Sequence, residues 1–303
     1  MDDVFLKPEY RCEFYVDEAR KKLWKCELDI LKKFDALCNE YGLDYFLIGG
    51  ALLGAVRHQG FIPWDDDVDI GMLRDDYEVF LEHAPAWFDA PYFVQNGYND
   101  SGYFGTIARI RDSRTTGVIW RDAKKDCNNG IFVEIYPIDT VTDNPNKLRL
   151  QHIEHKILFK LLYQYQYGDK NNLMGRLSKA IVGHVGFETL YKKWSTVCAR
   201  YRKEKATFCD SLTAYWDIGG QRWYLEDVKD TIYVPFEYIR LRIPRNYDRC
   251  LKITYGEYMQ LPPVEERGQH HNRTVYYNPD IPYTEAIRSG IVDSYFDRVG
   301  VKR

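Results

Sequence analysis
A chain of 303 residues with 45% hydrophobic content is long enough for one large domain, or two modest ones, around a sizeable core. Its net charge of −3 argues against a protein devoted to nucleic acid. No run of about 18 apolar residues predicts a membrane span, and the acidic start MDDVFLKPEY lacks the apolar stretch of a signal peptide. The seven cysteines are odd in number and form no CxxC pair, which reads as a reduced, cytoplasmic protein without a disulfide framework. Residues 1–15 read as an arm. From Val16 to Tyr41 the spacing of Leu23, Ile30, Phe34, Leu37 and Tyr41 predicts an amphipathic helix, ended by Gly42.

Leu43 to Ile48 predicts a first strand. Gly49-Gly50 follow, then a short helix from Ala51 to about His58, a turn at Gly60 and a second strand over Asp67–Met72, entered through Pro63. Strand alternation sets Asp65, Asp67 and Asp69 on one face and Val68 and Ile70 on the other. Asp66 is then expected to face away and serve the turn. Same-face carboxylates repel one another unless a counter-charge sits among them, and a hard divalent cation (Mg²⁺ or Mn²⁺) is the natural one. An EF-hand loop does not fit, because Asp76 rather than Glu stands at its last ligand position counted from Asp65. Glycine lets backbone approach a ligand closely, and a helix N-terminus binds phosphate. The two features together predict a metal–nucleotide site.

The stretch from Gly49 to Ile70, GGALLGAVRHQGFIPWDDDVDI, resembles the LicD family almost without a break. That resemblance implies a nucleotidyltransferase-like fold of the α+β class: a mixed β-sheet flanked by helices, with a largely helical insert. It implies transfer of a phospho-alcohol, foremost phosphocholine, from CDP-choline or another CDP-alcohol. The implied acceptor is a hydroxyl of a cell-surface glycan (a teichoic acid or lipopolysaccharide) or its lipid-linked precursor, and CMP is released. The residues alone imply only metal-dependent attack on a nucleotide phosphate. An NTP-using nucleotidyltransferase that releases pyrophosphate, or a non-catalytic nucleotide-binding scaffold, shares the same motifs.

Further along, Asp75 to His83 predicts a short helix ending before Pro85, and Tyr92–Gln95 and Tyr103–Arg111 predict strands. Arg109 and Arg111 share a face of the latter and could clamp phosphate oxygens. The Asn128-Asn129-Gly130 turn leads into a strand over Ile131–Asp139. Glu134 is a lone acid there, costly to bury unless paired or bound to metal. The resemblance places the third metal carboxylate at Glu134, with Asp139 as the runner-up for that role, though read first as a cap for the next helix.

Helical periodicity dominates 146–167, 173–184 and 187–205. Residues 147–205 carry 13 Lys or Arg against 4 Asp or Glu, a local excess of nine positive charges. This is either a solvated basic face or a contact for a lipid-linked anionic acceptor or an anionic membrane surface, the last of which would put the protein at the inner face of the membrane. Gly219-Gly220 reads as a turn, Tyr247–Tyr255 as a helix closed by Gly256, and Thr284–Phe296 as a last helix. The run from Ile243 to Pro263, and Arg267 with His270 and His271, also resemble the family. Three parts are expected: a core over 1–145, a basic helical subdomain over 146–205, and a part over 206–303 that completes the core and the site.

The roles implied are these. Asp67, Asp69 and Glu134 hold the metal, and Asp65 binds a second metal or activates the acceptor hydroxyl. Gly49 and Gly50 offer backbone N–H groups to the donor phosphates. Arg57, His58, Arg109, Arg111, His270 and His271 complete the nucleotide and phosphate contacts.

Overall fold
The structure, a computed structural model, describes residues 2–100, 102–169, 171–213, 222–268 and 275–300. A helical turn α1 (Asp2–Phe5) and a hairpin of β1 (Glu9–Arg11) and β2 (Phe14–Val16) precede the long helix α2 (Glu18–Tyr41). Then come β3 (Phe46–Leu47), α3 (Gly49–His58), β4 (Asp69–Leu73), α4 (Arg74–Trp87), β5 (Tyr92–Gln95), β6 (Ala108–Asp112), β7 (Thr116–Ile119) and β8 (Ile131–Val141). Three helices follow: α5 (Pro145–Tyr167), α6 (Leu173–Val185) and α7 (Phe187–Cys198). The chain continues through β9 (Phe208–Asp210), β10 (Trp223–Tyr224), α8 (Leu225–Val228), β11 (Thr231–Phe236), β12 (Ile239–Pro244) and α9 (Tyr247–Tyr255). It closes with β13 (Val275–Asn278), α10 (Tyr283–Arg288) and α11 (Ile291–Val299).

The centre is a seven-stranded mixed sheet built on β8. β4 runs parallel to β8, with β3 antiparallel beyond it. β6 pairs antiparallel with the first half of β8, and β9 with its end. β8 is rich in apolar residues because helices cover the sheet, and Ile131, Val133, Ile135 and Ile138 are fully or almost fully buried. The main core joins these strands to α2 through Trp24, Leu28, Leu31 and Phe34. A second cluster forms where Leu158 and Leu162 of α5 meet Val182 of α6 and Leu190, Trp194 and Val197 of α7. The fold is thus the α+β, helix-flanked mixed sheet expected.

Several boundaries differ from the sequence expectation, each for a physical reason. The arm is folded back on the body, where Arg11 Nη1 meets Glu237 Oε1 at 2.5 Å. The strands around the acidic motif are shorter than expected, because β3 and β4 pair only at Phe46↔Gly71 and Leu47↔Ile70. Pro85 lies inside α4. The helix runs past it because Trp87 stacks on Tyr41 (4.1 Å between ring centroids) and Phe88 enters the core. The strand expected from Tyr103 starts at Ala108, and the third basic helix stops at Cys198. The last helix splits at Gly290, whose φ of +77° breaks the helical path. The Gly219-Gly220 turn lies outside the described residues.

Asp139 is not a helix cap. Asn144 caps α5, its side chain accepting from the Asn146 and Lys147 amides. Asp139 lies inside β8, wholly buried, and accepts two hydrogen bonds from Arg74 (2.7 and 2.6 Å). This bidentate pair ties α4 to the sheet immediately after β4. Removing one partner strands the other charge in the core. Asp139→Ala is therefore expected to lower stability by about 3–5 kcal/mol in urea denaturation.

Candidate active site
Sheet register assembles the first half of the site. Asp69 of β4 stands beside Glu134 of β8, and Glu134 stands beside Arg109 of β6. Neighbours in register share a face, so an acid, an acid and a cation form one row. Arg109 donates through Nε and Nη2 to Glu134 Oε1 (2.8 and 2.6 Å), and Tyr136 donates to Glu134 Oε2 (2.6 Å). Both Glu134 oxygens are thereby oriented. Asp69 Oδ1 is buried without a hydrogen-bond partner among the described residues.

The second half comes from the turn between α3 and β4. Asp65, Asp66 and Asp67 precede the strand, so they do not alternate. Each offers an oxygen within 4.8 Å of the other two. This corrects the expectation that Asp66 points away: strand geometry begins only at Asp69. Burial first, then Asp69, Asp65, Asp66 and Glu134, push the Asp67 carboxyl well above its ordinary range. Burial, Glu134 and Asp65 do the same to Asp69, partly opposed by the Tyr136 hydroxyl.

The N-terminus of α3 meets these acids, and glycine is what permits the approach. A Cβ on Gly49 would lie 3.0 Å from Asp69 Oδ2, and one on Gly50 would lie 2.5 Å from Asp65 Oδ2. Gly49 also has φ +55°, a conformation unfavourable for other residues. The first-turn amides of a helix lack partners within it and carry partial positive charge. Converging carboxylates, a partnerless buried oxygen and a helix start without side chains suit a divalent cation with a phosphate beside it.

Not every expected residue reaches this point. Arg57 and His58 stand at the other end of α3, roughly 12 Å along its axis. Arg57 donates to the His58 ring (2.9 Å) and the Tyr258 carbonyl (2.8 Å). Burial and Arg57 push His58 down to about 4, so its ring is neutral and accepts. Arg111 is fully buried and donates to Gln95 Oε1 and the Gly130 carbonyl (2.6 Å each), which fixes the turn before β8. Arg109 keeps one buried nitrogen, Nη1, without a hydrogen bond, 3.9 Å from Asp122 Oδ2. His270 and His271 lie outside the described residues.

Sequence reasoning missed Glu27. It lies on α2, one turn beyond Trp24, whose indole donates to the Asp65 carbonyl (3.0 Å). Arg20, one turn earlier on the same face, donates to that carbonyl too (2.8 Å). Glu27 is wholly buried, and neither carboxylate oxygen has a hydrogen-bond partner among the described residues. Burial, then Asp66 and Asp65, push its carboxyl well above the ordinary value of 4.5. The signal was available: Glu27 is an acid on the helix stripe that also carries Leu23, Ile30 and Phe34.

A mixed sheet in which Asp67-Val68-Asp69 leads into a strand after a Gly-Gly helix start defines a nucleotidyltransferase-like protein. The model of the LicD/FKTN/FKRP nucleotidyltransferase-domain family matches residues 42–166. The lipopolysaccharide cholinephosphotransferase LicD of Haemophilus influenzae is 32% identical over 259 residues, 82% of this chain and 94% of that protein. The human ribitol 5-phosphate transferase FKRP is 57% identical over 35 residues, 12% of this chain and 7% of that protein. The chain belongs to the LicD family.

Glu27 gives the site a measurable signature. An acid whose folded pKa lies above its unfolded value weakens the fold as pH rises. In chelator, melting temperature should fall from pH 5 to pH 8, and Glu27→Gln should reduce that fall and melt higher at pH 8. An unchanged pH slope in the variant would contradict the burial of an unpaired carboxyl at this position.

Proposed function
We propose that this chain is a metal-dependent phospho-alcohol transferase, with phosphocholine as the leading group and CDP-choline or another CDP-alcohol as donor. The acceptor is a sugar hydroxyl of a cell-surface glycan or its lipid-linked precursor. The observation that carries this reading is the run of acids at one place: Asp69 beside Glu134 in the sheet, Asp67 under the charge of both, and Asp65 and Asp69 against the glycine start of α3. The names of the LicD and FKRP relatives support the phospho-alcohol part.

Asp67, Asp69 and Glu134 would hold Mg²⁺ or Mn²⁺, which when bound neutralises the donor diphosphate and its departing phosphate. Arg109 and Tyr136 hold Glu134 in one orientation, so that ligand needs little rearrangement. The amides of Gly49 and Gly50 are suited to the donor phosphate oxygens. Asp65, its backbone fixed by Arg20 and Trp24, is suited to accept the acceptor hydroxyl proton. The acceptor oxygen bonds to the phosphorus bearing the alcohol, the phosphoanhydride P–O bond breaks, and CMP leaves. In this reading residues 1–145 are the catalytic core, 146–205 an accessory helical layer and 206–303 the part that completes the core.

The test is a donor screen with Mg²⁺ across CDP-alcohols, NDP-sugars and NTPs, reading thermal shift and released nucleotide. Slow CMP release from CDP-choline or another CDP-alcohol is expected, at least about 100-fold lower in Asp67→Ala. Pyrophosphate from an NTP would replace this reading with nucleotidyl transfer. No binding of any donor would leave a scaffold.

A further inference from the structure
Helix α6 buries only part of its apolar surface. The residues it turns to the protein are Gly175, Ser178 and Val182, with Ile181 packed partly against the second cluster. Its larger apolar residues face outward: Leu173 is 80% exposed and Leu177 50%, with Met174 and Val185 also exposed. A helix held only by its own domain buries its large apolar stripe and exposes its polar one. Helix α5, packed beside it, repeats the pattern more weakly. Its buried stripe includes the polar Gln151 and His155, while Leu150 (53%) and Ile157 (62%) are exposed together with Ile153. Among the described residues, these two neighbouring helices leave this set of large apolar side chains uncovered.

The charge around that surface identifies its occupant. Residues 145–187 contain seven Lys or Arg and two Asp or Glu. Arg149, Lys160, Arg176 and Lys179 are exposed beside the apolar residues. α6 itself has no acid, and Glu154 of α5 is paired with Arg200. A second copy of the chain would set one cationic face against another. An acidic lipid surface would meet the cations with its headgroups and accept the leucines at the acyl boundary. We propose that the outer face of α5 and α6 docks on an anionic phospholipid bilayer.

The docking face is physically tied to the site. Tyr167, at the end of α5, donates to Asp122 Oδ1 (3.0 Å), and Asp122 lies 3.9 Å from Arg109 Nη1. Gln166 donates to the Gly102 carbonyl (2.7 Å). Docking through α5 and α6 would therefore hold the Arg109–Glu134 side of the acidic site in a fixed relation to the lipid surface.

The experiment is vesicle co-sedimentation of the full chain, which needs no turnover and so stands or falls apart from the donor chemistry. Phosphatidylcholine vesicles are compared with phosphatidylcholine–phosphatidylglycerol vesicles, at low and high salt. Binding is expected to the anionic vesicles only, and to weaken with salt. Leu173→Glu with Leu177→Glu, and separately Arg176→Ala with Lys179→Ala, should each lower it at least about tenfold. Their melting temperatures should stay unchanged, since these side chains are exposed. Binding that is absent, equal on both vesicles or unaffected by the variants overturns the proposal. So does light scattering that shows a wild-type dimer dissociated by Leu173→Glu, which would make this face a contact between copies.

Discussion
Repulsion among carboxylates is the constraint to which the site is built. Asp69, Asp65, Asp66 and Glu134 bear on the Asp67 carboxyl, Glu134 and Asp65 on Asp69, and Asp66, Asp65 and Asp69 on Glu27, within one buried region. A core arranged only for stability would not collect them, because each buried carboxylate is costly without a counter-charge. The fold relieves the cost in part. Arg109 and Tyr136 satisfy Glu134, and the amide end of α3 faces Asp65 and Asp69. Asp69 Oδ1 and both Glu27 oxygens are left without a partner among the described residues. What remains is an affinity for positive charge, held rigidly in place.

The rigidity comes from the sheet. Asp69, Glu134 and Arg109 belong to three strands whose register is set by apolar neighbours such as Ile70, Ile135 and Ile110, all fully buried. A slip of one residue would turn those apolar groups to the wrong face, so the core resists it. The same hydrophobic contacts that stabilise the fold thus fix the spacing of the acids. The Arg74–Asp139 pair adds a second lock directly after β4, where the strand becomes helix.

What could be read from the chain alone follows the range of the interactions. The Gly-Gly and Asp-Val-Asp elements were legible because one short segment holds both, and Glu134 was legible as an acid in an apolar strand. Arg57 and His58 sit in the same segment, yet their donors and acceptors are spent on each other and on Tyr258, two hundred residues later. Arg111 shares a strand face with Arg109, but its depth was invisible until the Gly130 turn closed over it. Asp66 was misplaced because alternation was applied from Asp65, four residues before the strand begins at Asp69. Pro85 shows local propensity giving way to the packing of Trp87 and Phe88. Glu27 was missed because its meaning depends on the α2 face that grips the Asp65 carbonyl.

The two surfaces of the basic helices show the same conflict between stability and use. Inside, Trp194, Leu162 and Val197 make an ordinary apolar cluster that anchors α5 and α7 to each other. Outside, α6 keeps Leu173 and Leu177 in solvent and turns glycine and serine inward. Leaving Leu173, Met174, Leu177 and Val185 of one helix in solvent forgoes burial that packing within the chain would favour. A basic rim around exposed leucines is accounted for when the missing half of the contact is an acidic, apolar-backed surface. A lipid-linked glycan, one of the acceptors proposed above, would be presented from such a surface. Docking there would reduce the search between acceptor and site from three dimensions to two, and the acids beneath α3 would not have to attract an anionic acceptor through open solvent.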